Sequence, residues 1–383
     1  MASEGPGVMR RRARRLVMPP GRGALTCEAF DLPPHVDAHR VVRPLFVGIC
    51  GTDLDILAGG RDDTARILGH EAVVHVPERR QRNAAGEEAH GGLYLVNPVD
   101  PHDQDRIVGH SEEGMLQEAV CLSEATSWAA RLIPVRAGLA PLLAVVSEPL
   151  AVAVYSLGLL GAPGTVTRLL VVGAGPMGVV TAVAARLLGV PEVTLVDGSE
   201  RRVQSAVDNG FVEEGLASCP SSRRFPAAAA LYGGSGPDAV ALCVGRGQRR
   251  EALGQAIAVA AAGACIDLTT GFRPGEKISE IPDVELNLIR RRNVCGSPRS
   301  GRRVEARTRE GKIIHLTGHR GTSPEHMSRA MDMLLRHPDV FRRVITDVVS
   351  VEDAPRAVSD IVLQRRDPNT APYRKLVVSL GPS

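Results

Sequence analysis

Residues 168–268 alternate short, wholly apolar runs with segments of helical periodicity. Strands that are apolar throughout are typical of a parallel sheet whose two faces are both covered by helices. This part of the chain is therefore predicted to form a doubly wound α/β domain. Its strands are predicted at 169–172, 192–196, 238–244 and 264–268, and its helices at 177–188, 200–209 and 248–262.

Gly173, Gly175 and Gly178 join the first predicted strand to its helix. The first glycine permits a tight turn, the second lets the backbone approach a pyrophosphate, and the third allows the helix to pack close to the strand. The helix begins near Pro176 and Met177, where free N–H groups and the positive end of the helix dipole attract phosphate. We therefore predict a dinucleotide-binding turn here.

The second predicted strand leads to Asp197, 19 residues beyond Gly178. A carboxylate at this point can accept hydrogen bonds from the adenosine ribose and repel a 2′-phosphate. NAD is therefore the expected cofactor. Arg201 and Arg202 follow closely, and their guanidinium groups could accommodate a 2′-phosphate if Asp197 turned away. NADP remains the alternative.

The segments on either side of this region have a different character. Residues 15–135 contain short β-type runs broken by Gly, Pro and Asp, which predicts an irregular β-rich domain. An apolar helix opens at Glu148 and Pro149 and ends before Gly161, so the domain junction is placed there. Beyond about residue 297 the pattern is mixed, with helices predicted at 324–336 and 354–364 and a strand at 376–380.

A thiolate, an imidazole and two carboxylates in this chain have the chemistry of zinc ligands. Cys50 and His70 are the first two candidates, and the third is either Glu71 or Glu148. A catalytic zinc needs three protein ligands and one open position for an alcohol or water. One glutamate would bind the metal while the other holds the water. A lone buried Cys or His is more often a packing residue, so the prediction depends on their occurring together.

The chain resembles the zinc-containing medium-chain dehydrogenases/reductases, which include alcohol, sorbitol, threonine and glucose dehydrogenases. Four motifs carry the resemblance, in this order: Cys50-Gly51-Thr52-Asp53, Gly69-His70-Glu71, Glu148-Pro149-Leu150 and Gly173-x-Gly175-x-x-Gly178. The resemblance implies a GroES-like catalytic domain at 1–150, an NAD-binding Rossmann domain at 151–296 and a return to the catalytic domain at 297–383.

The resemblance also implies roles for two residues beside Cys50. Thr52 would start a proton relay from the substrate hydroxyl, because a hydroxyl can accept a proton and pass it on. Asp53 would orient His70, because a carboxylate on the far imidazole nitrogen determines the tautomer of the ligand.

One departure from the family pattern concerns residues 97–113. Many members of the family carry four closely spaced cysteines here, which hold a structural zinc, whereas this segment has no cysteine. We expect one catalytic zinc per chain and no structural zinc. A substitute site made by His102, Asp103, Asp105 and His110 is less favoured than a shortened polar loop, which could shape the substrate pocket or a subunit contact.

The motif Glu148-Pro149-Leu150 resembles the polyol and glucose dehydrogenase branch. We therefore expect hydride transfer to or from a secondary alcohol of a polyol, sugar or (amino)cyclitol, with Asp55, His319 and Arg320 as substrate-binding candidates. The aromatic content of 3% argues against a large apolar pocket. The alternatives are a threonine-type amino alcohol dehydrogenase, a zinc-free quinone or enoyl reductase, and an inactive NAD-binding protein.

The sequence also bears on location and partners. No apolar run of membrane-spanning length occurs, and no apolar segment follows the N-terminal arginines as in a signal peptide. The seven cysteines are odd in number and widely spaced, which favours a reducing cytoplasm. The arginines at 10–15 are interpreted as a solvated, frayed terminus rather than a nucleic-acid site. We expect a cytoplasmic homodimer or homotetramer with a small-molecule substrate and no membrane or nucleic-acid partner.

Overall fold

The computed structural model describes residues 12–21, 23–33, 41–77, 91–122, 128–161, 164–219, 235–365, 367 and 372–381. The strands within these residues are β1 Arg12–Val17, β2 Thr26–Asp31, β3 Val41–Gly48, β4 Glu71–Val76, β5 Gly92–Val96, β6 Val120–Cys121, β7 Leu132–Pro134, β8 Arg168–Val172, β9 Glu192–Val196, β10 Ala217–Ser218, β11 Ala239–Leu242, β12 Cys265–Leu268, β13 Val304–Arg307, β14 Ile313–Thr317, β15 Asp347–Ser350 and β16 Leu376–Ser379.

The helices of the same residues are α1 Gly51–Leu57, α2 Trp128–Arg131, α3 Pro141–Ala144, α4 Ser147–Leu160, α5 Pro176–Leu187, α6 Glu200–Asp208, α7 Arg249–Val259, α8 Leu286–Ile289, α9 Pro324–Arg336, α10 Pro338–Arg342 and α11 Ala354–Gln364. Short 3₁₀ turns occur at Glu214–Leu216 and Arg290–Arg292. No helix of the described residues is long and apolar enough to cross a membrane.

One seven-stranded sheet has the order β10-β9-β8-β11-β12-β14-β13 and is parallel except for β13. Successive residues of β8 point to opposite faces and pack into different cores. Leu169 and Val171 join the core that contains α4, α5 and α9, whereas Leu170 and Val172 join the core that contains α7. Both faces are therefore buried, which explains the continuous apolar runs in the sequence. The predicted doubly wound fold is confirmed.

The C-terminal limit of this sheet differs from the predicted boundary at residue 296. Strands β13 and β14 lie beyond that residue but extend the same sheet, with β14 parallel to β12. These two strands were not predicted from the sequence. Strand β13 lies at the edge of the sheet, where Glu305 and Arg307 are exposed. The chain returns to the other sheet only at β15.

The other seven-stranded sheet contains β15-β16-β3-β4-β5-β7, with β6 paired to β3. Strand β16 runs antiparallel to β3, so the C-terminal segment closes onto the N-terminal part of the chain. In the β3–β4 pair, Gly48 lies opposite Glu71. This register brings the ends of β3 and β4 and the residues before β16 together at one edge of the sheet.

The N-terminal arginines are more ordered than predicted. Arg12, Arg14 and Arg15 lie in β1, which pairs with β2, while Arg10 and Arg11 lie outside the described residues. Arg14 Nε donates to Glu118 Oε1 at 2.9 Å, and Arg15 Nε donates to Glu28 at 2.8 Å. The interpretation of this run as a frayed terminus is therefore wrong from Arg12 onward, because cross-strand carboxylates pair with its charges.

Candidate active site

A cleft of about 490 Å³ lies between the two large sheets. This volume is in the range of small-molecule and cofactor sites. One wall comes from α1, the start of β4 and the segment at 97–111. The opposite wall comes from the glycine turn after β8 and from the chain beyond β11 and β12. The predicted metal and dinucleotide residues thus face a single cavity.

Cys50, His70 and Glu71 form a compact cluster in this cleft. Their ligand atoms, one sulfur, one ring nitrogen and one carboxylate oxygen, all lie within 4.8 Å of one another. Cys50 is the N-cap of α1, and its backbone N–H donates to Asp53 Oδ2 at 2.8 Å. Glu71 is the first residue of β4. A helix start and a strand start therefore supply the three groups.

Asp53 lies behind His70 and is completely buried. Its Oδ1 accepts from the Gly69 N–H at 3.3 Å and lies 3.5 Å from His70 Nδ1, a buried atom with no hydrogen-bond partner. Burial disfavours the charged forms of Asp53 and His70, but the attraction between their opposite charges is stronger than this effect. The pKa of Asp53 is therefore lowered and the pKa of His70 is raised well above its usual value.

The two candidate glutamates have different surroundings. The Glu71 carboxylate accepts a hydrogen bond from Lys375 Nζ, and both side chains are 2% exposed. Glu148, in the first turn of α4, is half-buried and lines the same cleft. Burial and the nearby Glu71 carboxylate raise the pKa of Glu148 to about 7, although His70 and Lys375 act in the other direction. Glu71 thus contacts a buried cation, whereas Glu148 can carry a proton near neutral pH.

Thr52 also lines the cleft, and its Oγ1 is 3.7 Å from the Cys50 sulfur. The position in the first turn of α1 directs the hydroxyl to the same side as the cluster. A hydroxyl at this distance can exchange a proton with a group bound beside Cys50.

His110, which the sequence suggested only as a member of a less favoured substitute metal site, lies beside the predicted catalytic cluster. Its ring meets His70 edge to face with centroids 4.9 Å apart, and neither ring nitrogen has a hydrogen-bond partner. Burial, followed by the charges of His70 and Arg61, lowers the pKa of His110 to about 3. The side chain is therefore a neutral, unpartnered hydrogen-bonding group that lines the cleft.

Glycines bring His110 to His70. A Cβ on Gly109 would lie 3.0 Å from the Gly69 carbonyl oxygen, and one on Gly114 would lie 2.2 Å from the Leu68 carbonyl oxygen. Only glycine permits this approach of two backbone segments. The repeated Gly-His pair at 69–70 and 109–110 was the available sequence signal.

The glycine turn has the geometry that its spacing predicts. Gly173 has φ +106°, and a Cβ there would lie 2.5 Å from the Cys243 carbonyl oxygen. A Cβ on Gly178 would lie 1.7 Å from the Gly173 carbonyl oxygen, so helix α5 packs against the turn. Gly175, Pro176 and Met177 line the cleft at the start of α5.

Asp197 lies beside this turn at the end of β9. Its two carboxylate oxygens accept from the backbone N–H groups of Ala174 and Ser199, each at 2.7 Å. Arg202 Nη1 is 3.7 Å from Asp197 Oδ2. The Asp197 carboxylate therefore stabilises the glycine turn through these hydrogen bonds. Both Asp197 and Arg202 line the cleft.

The predicted substrate residues line the cleft but have protein partners. Asp55 Oδ1 is 3.2 Å from Arg365 Nη2, and Arg320 Nη1 donates to Asp105 at 2.5 Å. Both His319 ring nitrogens have protein neighbours: the Gly321 carbonyl oxygen is 2.8 Å from Nδ1, and Ser156 Oγ is 3.3 Å from Nε2. A substrate would have to displace one of these contacts, and substrate binding by Asp55, His319 and Arg320 stays a prediction.

The chain is similar to known dehydrogenases in sequence and in structure. No protein-family model matches the chain. The L-threonine 3-dehydrogenase of Bacillus licheniformis is 27% identical over 245 residues, 59% of this chain and 68% of that protein. The glucose 1-dehydrogenase of Thermoproteus tenax is 31% identical over 172 residues, 39% of this chain and 48% of that protein. The match thus spans two thirds of one relative and about half of the other.

Several solved structures share the fold of this chain over nearly its full length. A candidate zinc-binding dehydrogenase of Sinorhizobium meliloti, bound to NADP, has a TM-score of 0.66 at 20% identity and covers 97% of this chain and 100% of its own. The 2R,3R-butanediol dehydrogenase of Bacillus subtilis has a TM-score of 0.68 at 17% identity, covering 97% and 100%. The galactitol-1-phosphate dehydrogenase of Escherichia coli has a TM-score of 0.65 at 16% identity, covering 96% and 99%.

These structural likenesses establish that the chain has the fold of the zinc-binding dehydrogenases to which it is similar. The sequence matches add a similarity to L-threonine 3-dehydrogenases and a glucose 1-dehydrogenase over part of the chain.

Proposed function

We propose that this protein is a zinc- and NAD(P)-dependent oxidoreductase that interconverts a secondary alcohol and a ketone on a polyol, sugar or (amino)cyclitol. The observation that carries the proposal is the cleft itself, in which the Cys50, His70 and Glu71 cluster faces the glycine turn of a doubly wound sheet. Ligands of such sheets bind at the carboxyl ends of the strands, where this cleft lies.

The donor set fits zinc. A thiolate, an imidazole and a carboxylate lie together in the cleft and leave one position open for substrate. Zinc bound here would act as a Lewis acid that lowers the pKa of the substrate hydroxyl, and NAD(P) would accept or return the hydride.

Glu71 completes the set in this proposal, because its carboxylate lies within ligand distance of Cys50 and His70. Lys375 neutralises one of its oxygens and holds it in place. Glu148 would then hold a proton beside the site, as its raised pKa of about 7 favours. Should Glu148 prove to be the ligand, Glu71 would keep its partner Lys375.

The remaining groups orient the substrate and move its proton. Thr52 takes the hydroxyl proton and passes it outward, since its Oγ1 lies beside Cys50 and at the cleft surface. Asp53 Oδ1 lies 3.5 Å from His70 Nδ1, so Nε2 would be the nitrogen that holds the metal. His110 offers a ring N–H or a lone pair to a second hydroxyl of the substrate, because its nitrogens have no protein partner.

The cofactor assignment favours NAD. Asp197 is held by two backbone N–H groups at the end of β9, where a carboxylate opposes a 2′-phosphate. A second candidate substrate is an amino alcohol of the threonine type, because the matching relatives include L-threonine 3-dehydrogenases. Assembly into a homodimer or homotetramer stays a prediction, which light scattering would test.

The decisive experiment compares Cys50→Ala with Cys121→Ala, an exposed cysteine on β6 that serves as the control. We expect Cys50→Ala to lose zinc by metal analysis and to lose NAD reduction in a screen of polyols, sugars, aminocyclitols and L-threonine. NADH binding, followed by fluorescence, should stay close to that of the unmodified protein. Turnover by a zinc-free Cys50→Ala protein would contradict the proposal.

A further inference from the structure

Two guanidinium groups converge at the carboxyl end of β12. A Cβ built on Gly271, just beyond this strand, would lie 3.3 Å from Arg290 Nη1 and 3.9 Å from Arg246 Nη2. Arg246 follows β11, and Arg290 follows α8. All three residues line the cleft. Like charges are thus brought to one point where glycine leaves the space between them open.

Neither arginine has a carboxylate partner within the described part of the chain. The ion pairs there include no contact of Arg246 or Arg290, and Arg290 Nε donates instead to the His319 carbonyl oxygen at 2.8 Å. Other arginines of the cleft have an aspartate within ion-pair distance: Arg61 has Asp63, Arg320 has Asp105 and Arg365 has Asp55. Carboxylates act on Arg246 and Arg290 only at longer range, so this pair keeps the capacity to bind an anion at Gly271.

The electrostatics of the pair agree with this geometry. Burial, followed by the charge of Arg61, lowers the pKa of Arg246 to about 10. Burial, followed by the charge of Arg320, lowers the pKa of Arg290 to about 10. Both guanidinium groups remain charged at neutral pH and repel one another, so a bound anion would relieve an unfavourable arrangement.

We propose that Arg246 and Arg290 bind an oxyanion, a phosphate monoester or a carboxylate, carried by the substrate of the dehydrogenase proposed above. The assignment of the anion to the substrate rests on that proposed function, whereas the anion site itself does not. Paired guanidinium groups recognise such anions through charge-assisted, often bidentate hydrogen bonds. The substrate would then be an acidic or phosphorylated polyol rather than a neutral one.

The position of the pair distinguishes it from the expected cofactor phosphates. In the sheet order β9-β8-β11-β12, Asp197 ends β9, the glycine turn follows β8, and Gly271 follows β12. Two strand spacings separate β12 from β8, which is roughly 10 Å. The pyrophosphate belongs at the turn after β8, so the pair lies on the far side of β11 from it.

The pair shares a cleft with the metal cluster. Arg61, whose charge acts on both Arg246 and Arg290, also interacts electrostatically with Cys50. A substrate could therefore place one hydroxyl at Cys50 while its anionic end reaches the arginines.

The test uses inorganic phosphate as the probe, with the thermal midpoint and calorimetry as readouts, on protein with and without saturating NADH. We expect phosphate to stabilise the unmodified protein in both states and to bind about tenfold more weakly to Arg246→Gln. Arg250→Gln, an exposed arginine on α7, is the matched control and should bind phosphate normally.

A second pair of variants keeps the test independent of folding. Gly271→Asp should place a carboxylate between the guanidinium groups, raise the thermal midpoint and abolish the response to phosphate. Gly271→Ala adds the Cβ without the charge and should retain the response. Phosphate binding by Gly271→Asp equal to that of Gly271→Ala would overturn the proposal, as would competition between phosphate and NADH, because the pair would then belong to the cofactor site.

Kinetics identify the source of the anion. We expect kcat/KM for sorbitol 6-phosphate or for gluconate to exceed that for sorbitol by about tenfold, and Arg246→Gln to remove the difference. Preference for the phosphate ester identifies a phosphorylated substrate, and preference for gluconate identifies a carboxylate. Equal rates on all three would overturn the substrate assignment. If no alcohol is oxidised while phosphate binding still depends on Arg246, the anion site stands and the proposed function fails.

Discussion

Lys375 donates a hydrogen bond to the Glu71 carboxylate across 304 positions of sequence, and the two side chains are among the most buried charges of the molecule. Lys375 immediately precedes β16 and Glu71 begins β4, so the pair joins the C-terminal segment to the metal cluster. Burial opposes the charged amine, but the Glu71 carboxylate outweighs it and raises the pKa of Lys375. Lys375 is therefore protonated at neutral pH and would lose its charge only when the pH rises above its raised pKa.

Removing the cation should destabilise the metal-free protein. Lys375→Met leaves the Glu71 carboxylate buried without a partner, and we expect a loss of about 3–5 kcal/mol in the free energy of unfolding. Urea denaturation would measure it, with Lys277→Met, an exposed lysine, as the control. A loss equal to that of the control would mean that water or Glu148 compensates the charge.

His110 should act on the substrate rather than on the fold. Because neither ring nitrogen has a protein partner, His110→Phe removes no internal hydrogen bond and should leave the thermal midpoint nearly unchanged. We expect kcat/KM for the alcohol to fall about tenfold or more, as loss of one substrate hydrogen bond implies, with NADH affinity unaltered. His102→Phe, an exposed change in the same segment, is the control. Unchanged kinetics would remove His110 from the site.

Asp197 should control both affinity for the cofactor and the choice between NAD and NADP. Asp197→Ala removes an acceptor from the Ala174 and Ser199 N–H groups and frees Arg202. We expect NADH to bind about tenfold more weakly and discrimination against NADPH to decrease, because Arg202 can then meet a 2′-phosphate. Fluorescence titration with both cofactors measures this, with Glu200→Ala on α6 as the control. If the unmodified protein already prefers NADPH, the assignment of Asp197 is wrong.

A buried aspartate in β12 should make stability depend on pH. Asp267 is completely buried, and Ser156 and Thr269 donate to its Oδ2 at 2.9 and 3.0 Å. Burial raises its pKa to about 6, although these hydrogen bonds act in the other direction. The folded state therefore holds a proton that the unfolded chain releases near pH 3.8, so stability decreases as the pH rises from that value to about 6.

Asp267→Asn should abolish this dependence. We expect its advantage in stability over the unmodified protein to be greater at pH 7.5 than at pH 5 by about 1 kcal/mol, measured by urea denaturation. Asp360→Asn, on the exposed face of α11, is the matched control. An advantage that is the same at both pH values would indicate that Asp267 is ionised throughout this range.

Much of the fold was accessible from periodicity alone. Helices α9 and α11 and strand β9 have the predicted limits, because each is long or apolar enough to be distinguished from the sequence around it. Strands β13 and β14 were not predicted. Strand β13 resembles a loop because it is an edge strand with alternating charges, whereas β14 lies inside the sheet and has an apolar run that the prediction left unused. Local pattern therefore identifies buried elements well and exposed edges poorly.

The candidate site divides in the same way. The motifs that carry the chemistry could be predicted from the sequence. A glycine turn, a Cys and a Gly-His-Glu run each indicate a function from residues that are adjacent in the chain. Contacts between residues that are distant along the chain could not be predicted. They are the contacts of Lys375 with Glu71, of His110 with His70, and of Arg246 with Arg290 around Gly271. Packing and backbone register decide such contacts, because hydrogen bonds and charges act over a few ångströms in space whatever the sequence separation. The amino-acid pattern thus specified the sheet, the turn and the ligand types, whereas tertiary structure decided which charges were neutralised and which were left to meet a ligand.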